Sequence, residues 1–155
     1  MSLISDELKV AGKFWFKVYG KDGGLKEERE IPNLMTTTGL ASVAAMLLAD
    51  VGLTGYDYIG IGTGTTAADV GDTAIEAEVG RVVTTGTVAT TTGTDDTAQF
   101  VGQTTFGASF AITEAGVLNA SSSGNLLCRQ VFAAINVVNL DSIAYTYTLS
   151  ISSEA

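Results

Sequence analysis

The chain has 155 residues, 46% of them apolar and only 16% charged, which supplies one domain with one core and suits a surface partly covered by partners. It contains no histidine and one cysteine, which removes the commonest general base, the Ser-His and Cys-His nucleophile pairs, thiolate metal clusters and any intrachain disulfide. The formal charge of −9 is uneven: the first 31 residues balance six bases against six acids, whereas the remainder sets two arginines against eleven acids, a body that disfavours DNA or RNA as a partner.

At the N-terminus "MSLISDELKV" has no apolar h-region, so no signal peptide is expected. No apolar run approaches the roughly 20 residues of a membrane span. The expectation is a soluble product of a reducing cytoplasm. Residues 1–31 read as a hairpin and attachment segment, and residues 32–155 as a β-sandwich body with one helix near 38–50. In "KVAGKFWFKVYGKDGGLKEEREI", Lys13, Trp15, Lys17 and Tyr19 share one parity and Phe14, Phe16 and Val18 the other. "GKDGG" supplies the turn, and the polar second arm predicts a sheet edge. All five lysines (Lys9, Lys13, Lys17, Lys21, Lys26) lie here. Lys9, Lys13, Phe14, Trp15, Phe16, Lys17 and Tyr19 form the candidate partner interface, since aromatic residues are favoured at interface centres.

Pro32 closes the hairpin, and the period changes in "IPNLMTTTGLASVAAMLLADVG". Thr37 or Thr38 is a candidate helix cap, and Leu40, Val43, Ala44, Leu47 and Leu48 form an apolar stripe at helical spacing, predicted to pack against a sheet. Gly52 is a stop signal.

"YIGIGTGTT", residues 58–66, invites a phosphate-loop reading, but the glycines miss the dinucleotide spacing and no lysine follows Lys26. It reads instead as a strand whose Ile59 and Ile61 face the core, with Gly60 and Gly62 leaving the other face bare for a close approach and Gly64 opening the turn. This strand is predicted to span 56–62, and further strands are predicted at 78–89, 97–106, 110–119, 125–132 and 142–152. Several strands and too few helices for crossover units indicate an all-β, antiparallel, jelly-roll-like sandwich with one short helix.

Glu76, Glu78 and the pair Asp95-Asp96 are the acids worth testing for chemistry. No nucleophile has a plausible base nearby, and "TGTDDTAQ" lacks a calcium-loop pattern. Glu78 and Arg81 are predicted to form a structural ion pair fixing a turn, with Arg129 as a second candidate partner. Cys128, inside the apolar "LLCRQVF", reads as a buried structural thiol. No catalytic residue, cofactor or metal is expected.

Four segments in order, "NLMTTTGLASVAAMLL", "YIGIGTGTTAADVGDTAIEAEVGR", "FAITEAGVLNASSSGNLLCRQVF" and the closing "YTYTLSIS", carry a resemblance. From Asn33 to Ile151 the chain resembles a group of tailed-bacteriophage virion proteins, small β-rich accessory components of the particle. The resemblance implies a structural role as a capsid decoration (cement) protein that binds the outer shell and bridges subunits of the phage major capsid protein, or alternatively as a tail or baseplate component. It also implies virion localisation and a homodimer or homotrimer. It carries no catalytic residues, and the N-terminal hairpin lies outside it.

Overall fold

Alternation of apolar and polar side chains with period two is carried through most of the chain, and such a pattern buries one face of each strand. The computed structural model describes residues 7–48, 52, 54–91 and 93–154. It contains β1 (Glu7–Tyr19), β2 (Leu25–Pro32), β3 (Leu34–Met35), α1 (Thr37–Met46), β4 (Tyr58–Gly62), β5 (Glu78–Val83), β6 (Thr85–Ala89), β7 (Thr97–Thr105), β8 (Phe110–Leu118), β9 (Leu126–Val137) and β10 (Ser142–Glu154). The fold is an all-β sandwich of two five-stranded sheets, ordered β2-β1-β10-β7-β6 and β3-β9-β8-β4-β5. Among the described residues every pairing is antiparallel.

The outer strands of the two sheets are joined directly. β2 runs through Asn33 into β3, and β5 runs through Thr84 into β6, so one edge strand of each sheet continues into an edge strand of the other. The sequence shows residues 78–89 as one strand because its alternation is unbroken. The structure bends it at Thr84, whose backbone N–H and hydroxyl both donate to the Asp57 carbonyl, at 2.7 and 3.0 Å. Edges that fold over in this way offer less unpaired backbone to other chains.

The first and last strands pair along their whole length, from Glu7 opposite Glu154 to Tyr19 opposite Ser142. β1 therefore lies inside the first sheet, between β2 and β10, and the hairpin shares its core with the rest of the chain. Phe14, Phe16 and Val18 of β1 pack with Ile143, Tyr145 and Tyr147 of β10, against Ile59, Ile61, Ala115, Val117, Ile135 and Val137 of the second sheet. Phe14 meets Tyr147 with ring centroids 4.8 Å apart, and Phe16 meets Tyr145 edge-on at 5.7 Å. Alternation in the last strand puts Ile143, Tyr145, Tyr147 and Leu149 on one face, and that face is the buried one.

The helix departs from expectation in two ways. Its cap is Thr36, whose Oγ1 accepts from the Gly39 N–H at 2.9 Å, rather than Thr37 or Thr38. Its inward face carries Gly39 and Ser42, with Val43 partly covered, while Leu40, Ala44, Leu47 and Leu48 face outward. The reason is proximity: α1 lies so close to the β9 backbone that a Cβ on Gly39 would sit 2.1 Å from the Leu127 carbonyl oxygen. Only small side chains fit that gap, so the bulky ones are turned out.

Candidate partner-binding surface

The outer face of the first sheet gathers every second residue of its strands. Trp15 of β1 is opposite Thr146 of β10, which is opposite Val101 of β7, which is opposite Thr85 of β6. Trp15 is 42% exposed. Its Nε1 donates to Glu28 Oε1 at 2.7 Å, and the Lys17 ammonium lies 5.6 Å from its ring centroid, so both neighbours hold the indole in place. Lys13 pairs with Glu30 at 3.0 Å. Trp15, Lys17, Gln99, Ala144 and Thr146 line a hollow of about 270 Å³.

The candidate interface is thus divided by the pleat. Lys9, Lys13, Trp15 and Lys17 are on the outer face, and Tyr19 is half-buried at the end of β1, where the register with β2 shifts. Phe14 and Phe16 are corrected: at 0% and 1% exposure they belong to the core and cannot meet a partner. Alternation had put Phe14 and Phe16 on one face and Trp15 on the other, but only the second sheet decides which of the two is covered.

On the outside of the second sheet, a lateral row runs Arg81, Gly60, Gly116, Arg129 across β5, β4, β8 and β9. The two glycines leave a trough between two arginines. Ile75, from the loop over residues 63–77, fills it, and a Cβ on Gly116 would lie 2.7 Å from Ile75 Cδ1. The bare face predicted for "YIGIGTGTT" is therefore the seat of this loop, with Ile59 and Ile61 in the core as expected.

Each arginine of the row fastens a loop. Arg81 makes a bidentate pair with Glu78, Nε to Oε1 at 2.8 Å and Nη2 to Oε2 at 2.7 Å, and its Nη1 donates to the carbonyls of Ala120 and Ser123. The pair expected from sequence is present, and it holds the "NASSSGN" loop as well as β5. Arg129 has other partners than Glu78. Its Nε donates to Glu114 Oε2 at 2.9 Å, Nη1 to Asp72 Oδ2 at 2.8 Å, and Nη2 to Glu76 Oε2 and the Thr66 carbonyl, both at 3.1 Å. Glu114, 0% exposed, also accepts from the backbone N–H groups of Gly64, Glu76 and Ala77 at 2.9, 3.0 and 2.7 Å. A buried carboxylate with four donors is fully satisfied.

Glu114 is the residue that sequence reasoning missed. The available signal was a single acid in the otherwise uncharged strand "FAITEAGVL" and a single arginine in "LLCRQVF", because an unpaired charge in either place would be costly. Electrostatics around Arg129 follow from the geometry. Burial opposes its charge, but Asp72 and Glu114 outweigh that and hold its pKa above the usual value. Burial likewise raises Asp72, yet the Asp69 N–H and Arg129 bring it below the usual carboxylate range. The hydroxyl and N–H of Thr66 lower Glu76. Burial pushes the Cys128 thiol up to about 12, as befits a structural thiol.

Beside Arg129 an open hollow of about 420 Å³ is lined by Thr66, Asp72, Thr73 and Glu76 among others, but Asp72 and Glu76 already engage Arg129, and Thr66 engages Glu76. Glu76 and Glu78, the acids a hydrolase would need, are engaged with Thr66 and Arg129 and with Arg81 respectively. Asp96 organises its own loop, accepting from the N–H groups of Thr91 and Gly93. Among the described residues no group of three or more acids or cysteines is placed to hold a metal ion, and no helix is long and apolar enough to cross a membrane. Comparison with protein-family models, with curated proteins and with solved structures gives no match for this chain.

Proposed function

We propose that the chain is a structural component of a tailed-bacteriophage particle, acting by surface contact without a reaction of its own, and in the first place a capsid decoration protein on a shell of major capsid protein. One observation carries the reading. Of the seven charged residues of the two central segments that resemble virion proteins, six, Asp72, Glu76, Glu78, Arg81, Glu114 and Arg129, are engaged in fastening loops to the sandwich, and Asp69 accepts from Gly71 within its own turn. Those segments thus build rigidity, which a particle needs in order to persist outside a cell. The outward face around Trp15, Lys13 and Lys17 is the docking surface in this reading, with an aromatic centre and a polar rim, and weak contacts repeated over a symmetric lattice add up through avidity.

The test is a copy count by gel densitometry on purified particles from the lysate in which the chain is made. A symmetric shell calls for on the order of hundreds of copies, and a count of that size supports decoration. A count in the low tens supports the tail or baseplate alternative. Absence from the finished particle overturns the proposal. Replacing Trp15 and Lys17 together by alanine should lower occupancy on particles, and unchanged occupancy would remove this face as the docking surface. Deleting residues 1–31 is unsuitable as a test, because it takes Phe14, Phe16 and Val18 out of the core.

A further inference from the structure

Helix α1 presents an apolar stripe to the outside. Leu40 is 49%, Leu47 85% and Leu48 65% exposed, and exposed Ala44 lies between them, one turn after Leu40 and one turn before Leu47 and Leu48. Val70, 52% exposed, adjoins the N-terminal end, where its carbonyl accepts from the Thr37 N–H at 2.8 Å. Leu40 on the helix, Leu47 at its C-cap and Leu48 just beyond it are not the residue of core packing, since the core side of this helix is made of Gly39, Ser42 and Val43. Contiguous exposed apolar patches on soluble proteins mark interaction sites.

We infer that this stripe is covered by the same stripe of a second copy, with the two α1 helices antiparallel about a two-fold axis near Ala44. Three features favour a copy of this chain over another occupant. From Asn33 to Leu48 the sequence has no charged residue, so the two helices themselves meet without opposing like charges, although each chain carries −9 and Asp69 stands next to Val70 in the chain. A stripe with bulky ends and a small centre is self-complementary: the leucines of one copy flank the alanine of the other, and Ala44 lets the helices approach closely. The first turn of α1 contains no acid and the last turn no base, so the partial charges at the helix ends lack compensation on the helix itself, and antiparallel pairing sets opposite ends together. The stripe supplies the apolar centre of an interface whose standard size is about 800 Å² per partner. A homodimer is one of the two assemblies that the resemblance implies, but the stripe favours it on the geometry of α1, and association in solution is measured separately from presence on a particle.

The experiment is sedimentation equilibrium of the full purified chain, with variants on both faces. The wild type should sediment at twice its 16.0 kDa in a concentration-dependent manner. Leu47→Glu should weaken the dimer on the order of tenfold or more with unchanged thermal unfolding of the monomer, while Trp15→Ala on the far sheet should leave association intact. Ala44→Cys should form an interchain disulfide on mild oxidation, because the native Cys128 is buried and a two-fold axis brings position 44 near its own copy. A wild-type monomer at high concentration, a trimer, a Leu47→Glu protein that dimerises normally, or an Ala44→Cys protein that does not cross-link would each overturn the inference.

Discussion

Glu114 and Arg129 are the two buried charges on which the second sheet depends. With 0% and 2% exposure, each would be left uncompensated by loss of the other, and breaking a buried pair costs about 3–5 kcal/mol. Arg129→Leu is expected to destabilise the protein by that amount in urea unfolding. Glu78→Gln, at a pair where the acid is 30% exposed, should cost about 1 kcal/mol or less. Equal effects of the two substitutions would show that the Arg129 cluster is no special anchor. The ordering was only half legible in sequence. Glu78 and Arg81 are three residues apart and announce themselves, whereas Glu114 and Arg129 are far from Asp72 and Glu76 in the chain and meet only because β8, β9 and the 63–77 loop are brought together.

At the scale of the element, α1 shows how periodicity identifies a helix without fixing its orientation. The stripe Leu40, Ala44, Leu47 and Leu48 has the spacing of a buried face, and in a chain of unknown tertiary structure burial is the sound expectation. The close approach to Leu127 reverses it. Gly39→Ala should therefore destabilise by about 1–3 kcal/mol through overpacking, while Leu40→Ala on the outer face should change monomer stability by no more than about 0.5 kcal/mol. Thermal unfolding in dilute solution distinguishes the two, and the reverse ranking would restore the stripe as the packing face. β5 and β6 make the same point for strands. Their alternation is continuous through Thr84, and the bend there depends on Asp57, a residue outside both strands.

For the whole molecule, pH acts through three carboxylates held below their usual range: Asp72 and Glu76 at the Arg129 cluster, and Asp141, lowered by the Lys26 ammonium and the Val138 N–H. A depressed folded-state pKa gives stability that is fully present above the unfolded value, 3.8 for aspartate and 4.5 for glutamate, and that is lost as pH falls through the folded value. The melting temperature should be nearly flat from neutral pH to about 5 and fall below about 4. Asp141→Asn should reduce the size of that acid loss. Asp141 ties the turn between β9 and β10 to the β1–β2 hairpin through Lys26, so a melting curve indifferent to acid would mean that these ties contribute little.

By itself the sequence determined the class of the fold, most strand positions, the division of β10 into two faces, the core role of Ile59 and Ile61 and the Glu78–Arg81 pair. All of these follow from period-two alternation, from turn residues or from near neighbours in the chain. The tertiary structure decided what depends on contact between distant segments. It buried Phe14 and Phe16 while leaving Trp15 outside, turned the apolar stripe of α1 outward, and closed Glu114, Arg129, Asp72 and Glu76 into one cluster. The physical reason is the same in each case: a local pattern states that one side of an element is apolar, and only the neighbour that arrives in three dimensions settles which side loses its water.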